Sequence, residues 1–186
     1  QDQLEAWIDR LGSAQGLNTR AASNAFECVI TCLVPYSSDL ISELEELHER
    51  LPDDAYQQSF RRAVAMAARA ETTNSARRAS HAVARDLGQA YLQLSEGRDD
   101  GVAERVAIRN RLADMLVFRG HAHPAKMAAE AFALLDASLA EAPHDRFAKE
   151  LQAHLEQRQA TVLQIARFTH DVNTRLGGVR NLLDTL

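Results

Sequence analysis

The sequence predicts an all-α fold, an antiparallel helical bundle that ends in a long heptad-patterned helix. Three observations carry that expectation. Ala is the most frequent of the 186 residues, and much of the remainder is Leu, Arg, Glu and Gln, which lose little side-chain freedom in a helix. Apolar residues recur at spacings of three and four along nearly the whole chain. No stretch alternates apolar with polar residues as a half-buried strand does.

The balance of residue types narrows the classes further. A content of 46% hydrophobic and 25% charged residues is ordinary for a globular domain. The formal net charge of −5 leaves no overall positive field to gather nucleic acid or anionic lipid, so nucleic acid is not an expected partner. The longest apolar run, Phe26 to Val34, is interrupted by Glu27 and falls far short of the roughly 20 residues that cross a bilayer. No membrane span is expected. Two cysteines make no disulfide framework, which favours a reducing, cytoplasmic setting. With no initiator Met and no charged-then-apolar leader, Gln1 reads as a cropped or processed boundary.

The four prolines, Pro35, Pro52, Pro124 and Pro143, fall where the apolar periodicity breaks, as expected for a residue tolerated mainly in first turns and loops. Leu4, Trp7, Ile8 and Leu11 predict a short helix over residues 3–14, weakened at its end by Gly12 and Gly16. Asn18 or Thr19 caps a second helix to Val34, with Ala22, Phe26, Val29, Ile30 and Leu33 on one face. Ser37 and Ser38, with Asp39 in the first turn, open a third that reaches Leu51. From Pro52 one pattern runs nearly to Ser95 through Phe60, Val64, Val83, Leu87 and Tyr91, and the polar stretch Glu71 to Ser75 bends or splits it. A charged, glycine-containing loop spans Ser95 to Gly101. Val102, Val106, Leu112, Met115, Leu116 and Phe118 mark the next helix, which Gly120 to Pro124 ends. A further helix is expected over 125–142, and the last from about His144 to the C-terminus.

The last helix carries the most informative pattern. One heptad position holds Ala148, Leu155, Val162, Thr169, Leu176 and Leu183; the other holds Leu151, Arg158, Ile165, Val172, Val179 and Leu186. Only Arg158 and Thr169 break an otherwise apolar stripe, and a 3.5-residue repeat sustained this long suits a left-handed coiled coil or a bundle seam. Two readings stay open: a core stripe inside a monomeric bundle, or a homodimer seam. His170 falls just outside the stripe, which aims its ring at solvent while Val172 and Leu176 face the bundle. Asp171 follows it and is placed to hold one ring nitrogen, leaving the other nucleophilic. Thr174 lies one turn on along the same face, within reach of a water or phosphoryl oxygen at the ring. Such a grouping suits a phosphoryl relay.

The stretch His170-Asp171-Val172-Asn173-Thr174-Arg175-Leu176 resembles the H-box of sensor histidine kinases, His-(Glu or Asp)-x-(Arg or Asn)-Thr-Pro-Leu. In that family the motif sits on the first helix of a dimerisation and phosphotransfer domain, a four-helix bundle built by two chains. The resemblance covers seven residues. It implies that His170 is the phosphoacceptor, Asp171 its activating acid, and Thr174 the residue that positions water for dephosphorylation. The family's Pro is Arg175 here, so its helix kink does not carry over with the motif. The resemblance further implies a homodimer through the C-terminal helix and a response-regulator receiver domain as partner. Residues 1–142 become a helical sensory domain, and 143–186 a signalling helix running into the phosphoacceptor helix. The sequence given stops before the second helix of the hairpin and the ATP-binding domain, so this chain alone should be inactive. It needs no cofactor of its own, and ATP and Mg are expected only for that missing domain.

Glu45 and His48 have a Glu-x-x-His spacing used in di-iron bundles, but its only other occurrence, Glu141 to His144, is broken by Pro143. His121 and His123 flank Ala122 in a loop and would need a third ligand to bind a metal. Cys28 and Cys32 share a helix face, as a redox pair or, more ordinarily, as core-facing thiols. Arg61, Arg62, Arg69, Arg77, Arg78 and Arg85 make one helical face basic, which reads as a solvated face balanced by acidic neighbours. The reading from another class is a non-catalytic helical-bundle adaptor that binds a protein partner.

Overall fold

The computed structural model describes residues 19–34, 39–51, 54–74, 78–119 and 124–183, and among these it is all-helical. Seven helices follow one another: α1 Thr19–Leu33, α2 Leu40–Glu49, α3 Asp54–Asn74, α4 Arg78–Leu94, α5 Val102–Arg119, α6 Pro124–Glu141 and α7 Arg146–Leu183. No helix among the described residues is long and apolar enough to cross a membrane. The helix expected over 3–14 lies outside the described residues.

Local chemistry accounts for the boundaries. Asp39 is the N-cap of α2 and not a member of its first turn: its Oδ1 accepts from the Ser42 amide at 3.3 Å. The long pattern from Pro52 is two helices, α3 and α4, and residues 71–74 of the polar stretch are still helical at the end of α3. Ser95 closes α4 by donating its buried hydroxyl to the Tyr91 carbonyl at 2.7 Å. Gly97 and Gly101 take positive φ values of 68° and 93° in the α4–α5 connection, a conformation open to glycine at little cost. α6 begins at Pro124, the helical position where a missing amide donor costs nothing.

The chain divides into two compact units, Gln1–Asp145 and Arg146–Leu186. In the first, α3 packs on α1 and α4, α2 on α4, α4 on α5, and α5 most extensively on α6. The core is drawn from Phe26 and Ile30 of α1, Leu44 and Leu47 of α2, Phe60 and Val64 of α3, Leu87 and Tyr91 of α4, and Ile108, Leu112 and Met115 of α5. Phe26 meets Phe60 edge to face, centroids 5.3 Å apart and planes at 86°, an arrangement favoured by the ring quadrupoles. Ala22, Phe26 and Ile30 form the buried stripe of α1, which puts Cys28 well round the helix from them. Cys28 is accordingly exposed and not core-facing, while the Cys32 side chain lies outside the described set. Phe118, read from sequence as part of the apolar pattern of its helix, is also exposed.

The second unit is one helix of 38 residues, about 57 Å long at 1.5 Å per residue. It is helical through Arg175. Ala148, Leu151 and Leu155 are buried. From Glu156 to Thr174 every side chain is exposed.

Candidate functional site

Helix α7 brings His170, Asp171 and Thr174 onto one exposed stretch. His170 and Thr174 are four residues apart, hence neighbours along one face, while Asp171 is turned about 100° from His170. The Thr174 hydroxyl donates to the His170 carbonyl oxygen at 2.9 Å. Thr169 and Thr161 do the same to the carbonyls of Ile165 and Gln157, both at 2.9 Å. Thr174 Oγ1 keeps its lone pairs for an incoming donor such as water, and a hydroxyl rotates freely enough to turn its proton elsewhere.

Beside this polar stretch runs the exposed apolar stripe. Val162, Ile165 and Val172, at 59%, 60% and 37% exposure, occupy the two heptad positions; Leu163 and Phe168 are exposed off them. Val172 therefore faces solvent in the single chain. Five large apolar side chains displayed along one helix form the kind of surface that soluble proteins cover with a partner.

A second polar constellation lies in the other unit. Arg61 of α3, only 4% exposed, donates from Nη1 to His48 Nε2 at 3.1 Å and from Nη2 to Asp100 Oδ2 at 3.3 Å. Gln58 Nε2 reaches the same Asp100 oxygen at 3.2 Å, and Arg98 Nε reaches Oδ1 at 3.1 Å while also pairing with Asp54. Burial works against the Asp100 carboxylate, yet hydrogen bonds from Arg98 and Arg61 outweigh it and hold the group below its ordinary range. One buried guanidinium thus joins α2, α3 and the α4–α5 connection.

An open cleft of about 300 Å³ lies where α4, α5 and α6 meet, lined by Leu92, Gln93, Glu96, Arg105, Arg109 and Glu141 among others. Arg105 Nε donates to both Glu141 oxygens at 3.2 and 3.0 Å, and its Nη1 to the Ser95 carbonyl at 3.0 Å. Arg109 Nη2 meets Glu141 Oε1 at 2.9 Å. These partners occupy the arginines as structural ties.

The remaining sequence candidates resolve individually. His48 of the Glu-x-x-His spacing spends its ring nitrogen on Arg61, and no group of three or more potential metal ligands occurs among the described residues. His121 and His123 lie outside those residues. The basic face is only partly solvated: Arg69 pairs with Glu104 at 3.3 Å and Arg85 with Glu130 at 2.7 Å, whereas Arg61 is buried. A signal for that burial was present. Arg61 heads a row with Ala65, Ala68 and Thr72 at helical spacing, and all four are buried. Comparison with protein-family models, curated proteins and solved structures finds nothing that matches this chain.

Proposed function

We propose that this chain is the input and signal-transmitting portion of a two-component sensor histidine kinase, a homodimer through α7 with His170 as its phosphoacceptor. One observation supports the reading above others: His170, Asp171 and Thr174 are exposed on the same helix that carries the exposed heptad-position residues Val162, Ile165 and Val172. In this reading a second copy of α7 covers Val162, Ile165 and Val172, and His170 stays outside the seam. A neutral imidazole nitrogen of His170 attacks the terminal phosphorus of ATP held by a separate ATP-binding domain with its Mg. The N–P bond forms as the P–O bond to ADP breaks. Asp171 holds the other ring nitrogen, stabilising the positive charge that develops there. A receiver-domain carboxylate then takes the phosphoryl group, and Thr174 orients the water that hydrolyses what is not transferred.

The test supplies the matching ATP-binding domain in trans with labelled ATP. Acid-labile label is expected on the wild-type chain and absent from His170→Ala. Label that persists in that variant would overturn the assignment. The adaptor reading retains one observation in its favour, since Leu163 and Phe168 are exposed off the seam positions and would remain to dock a different protein. A chain that sediments as a monomer and takes up no phosphate would move the conclusion there.

A further inference from the structure

We propose that His48 and Arg61 form an acid-sensitive latch between α2 and α3, one that opens when the His48 imidazole takes a proton. The proposal is independent of the kinase reading, because every group it uses lies in Gln1–Asp145.

The geometry sets the tautomer. Arg61 can only donate, so His48 Nε2 must accept its N–H at 3.1 Å, and the ring proton of neutral His48 sits on Nδ1. Protonation puts an N–H on Nε2, turning a hydrogen bond into two cations in contact. Arg61 has nowhere to retreat: it is 4% exposed, and its other terminal nitrogen is fixed by Asp100. The side chain that can leave is His48, half-buried on the last turn of α2, its ring beside Phe60 with centroids 6.1 Å apart.

The surrounding charges favour the same outcome. From α3 the ring faces Arg61 and Asp54; from the α4–α5 connection it faces Arg98, with Asp100 behind Arg61. Tyr91 of α4 feels Arg61 and Asp100 but stays neutral at any pH relevant here, since burial raises its phenol. The acids nearest on α2 itself are Glu45, Glu46 and Glu49. Burial first, then Arg61 and Arg98, push the imidazole below its ordinary value, and Asp54 only partly opposes them.

Opening should be local. Asp100 remains tied to α3 through Gln58, and Arg98 still links Asp54 to Asp100, without any help from His48. The α4–α5 connection therefore keeps its place when α2 lets go, which separates the latch from general acid unfolding. Two packings of one element, biased by a proton, make a two-state switch.

Hydrogen exchange on the full chain at pH 7.5 and pH 5, corrected for intrinsic rates, tests this. The amides of residues 47–51, which include the Arg50 to Glu46 and Leu51 to His48 bonds, should lose protection several-fold at pH 5. The Ser95 and Arg105 amides should not. In His48→Gln, whose side-chain oxygen still accepts from Arg61 but does not titrate, the 47–51 response should vanish. Equal loss at both places, no loss at either, or the same response in His48→Gln would overturn the latch. Should that variant not fold, the wild-type chain decides by NMR: the loss of protection at 47–51 must follow the same midpoint as the His48 ring titration, and a loss that follows a different midpoint, or none, refutes the proposal.

Discussion

Ser138 is wholly buried in α6, and its hydroxyl meets no hydrogen-bond partner among the described residues. An alcohol that gave up water without replacement costs on the order of 1–3 kcal/mol, and Ala is the better helix former besides. Ser138→Ala should therefore stabilise the chain by about 1 kcal/mol, read as a higher urea midpoint at unchanged slope. Asn110 supplies the opposite sign from the same region. Its Oδ1 is equally unpartnered, but its Nδ2 donates to Asp145 Oδ1 at 2.9 Å, so Asn110→Ala removes a working bond and leaves a gap. A loss of about 1 kcal/mol is expected. Gly88 shows how closely α4 and α5 approach: a Cβ there would lie 2.7 Å from Leu112 Cδ1 and 3.2 Å from its Cγ. Leu112 is buried and cannot swing aside, so Gly88→Val should destabilise by about 1–3 kcal/mol through overpacking.

At the scale of elements, what could be read from sequence was what is local along the chain. Capping residues placed the starts of α1 and α2, and Pro and Gly punctuation the bounds of α5 and α6 and the start of α7, within a few residues of where they stand, because a cap, a missing donor or an open φ acts locally. The Arg61 network was not legible in the sequence. His48, Arg61 and Asp100 come from three segments, and no spacing rule reports that α2, α3 and the α4–α5 connection converge. The stripe of α7 was legible as a pattern of apolar residues. The proposed pairing of that stripe has a direct consequence. Ile165 occupies a seam position at 60% exposure, and covering an Ile contributes roughly 1.5–3 kcal/mol per copy. Ile165→Asp, applied to both copies, should weaken a dimer about a hundredfold or more. Sedimentation across a concentration series would register this, while an unchanged association constant would remove α7 as the seam.

For the molecule as a whole, the titrating groups predict two separate losses of stability in acid. His48 acts first. Its folded value is depressed below 6.5, so the unfolded chain binds more protons, and its contribution, full above pH 6.5, is lost as pH falls toward the folded value. Glu141 acts later. Burial opposes its charge, but hydrogen bonds from Arg109 and Arg105 outweigh that and hold it below 4.5, and Asp100 is likewise held below 3.8. Such carboxylates stabilise the fold above their unfolded values and lose that contribution as pH drops through the folded ones. Asp86 runs the other way: burial raises it, so protonation in the window just above 3.8 favours the folded state and partly offsets the others. Urea midpoints measured from pH 8 to pH 3 should therefore begin to fall as pH drops below 6.5, and fall again as it drops below 4.5. His48→Gln should abolish the first fall only. Glu141→Gln, which keeps an acceptor for Arg109 but no charge, should lower the midpoint at neutral pH and shrink only the second. A single continuous decline, unmoved by either substitution, would mean that these networks do not govern the acid limit of the fold.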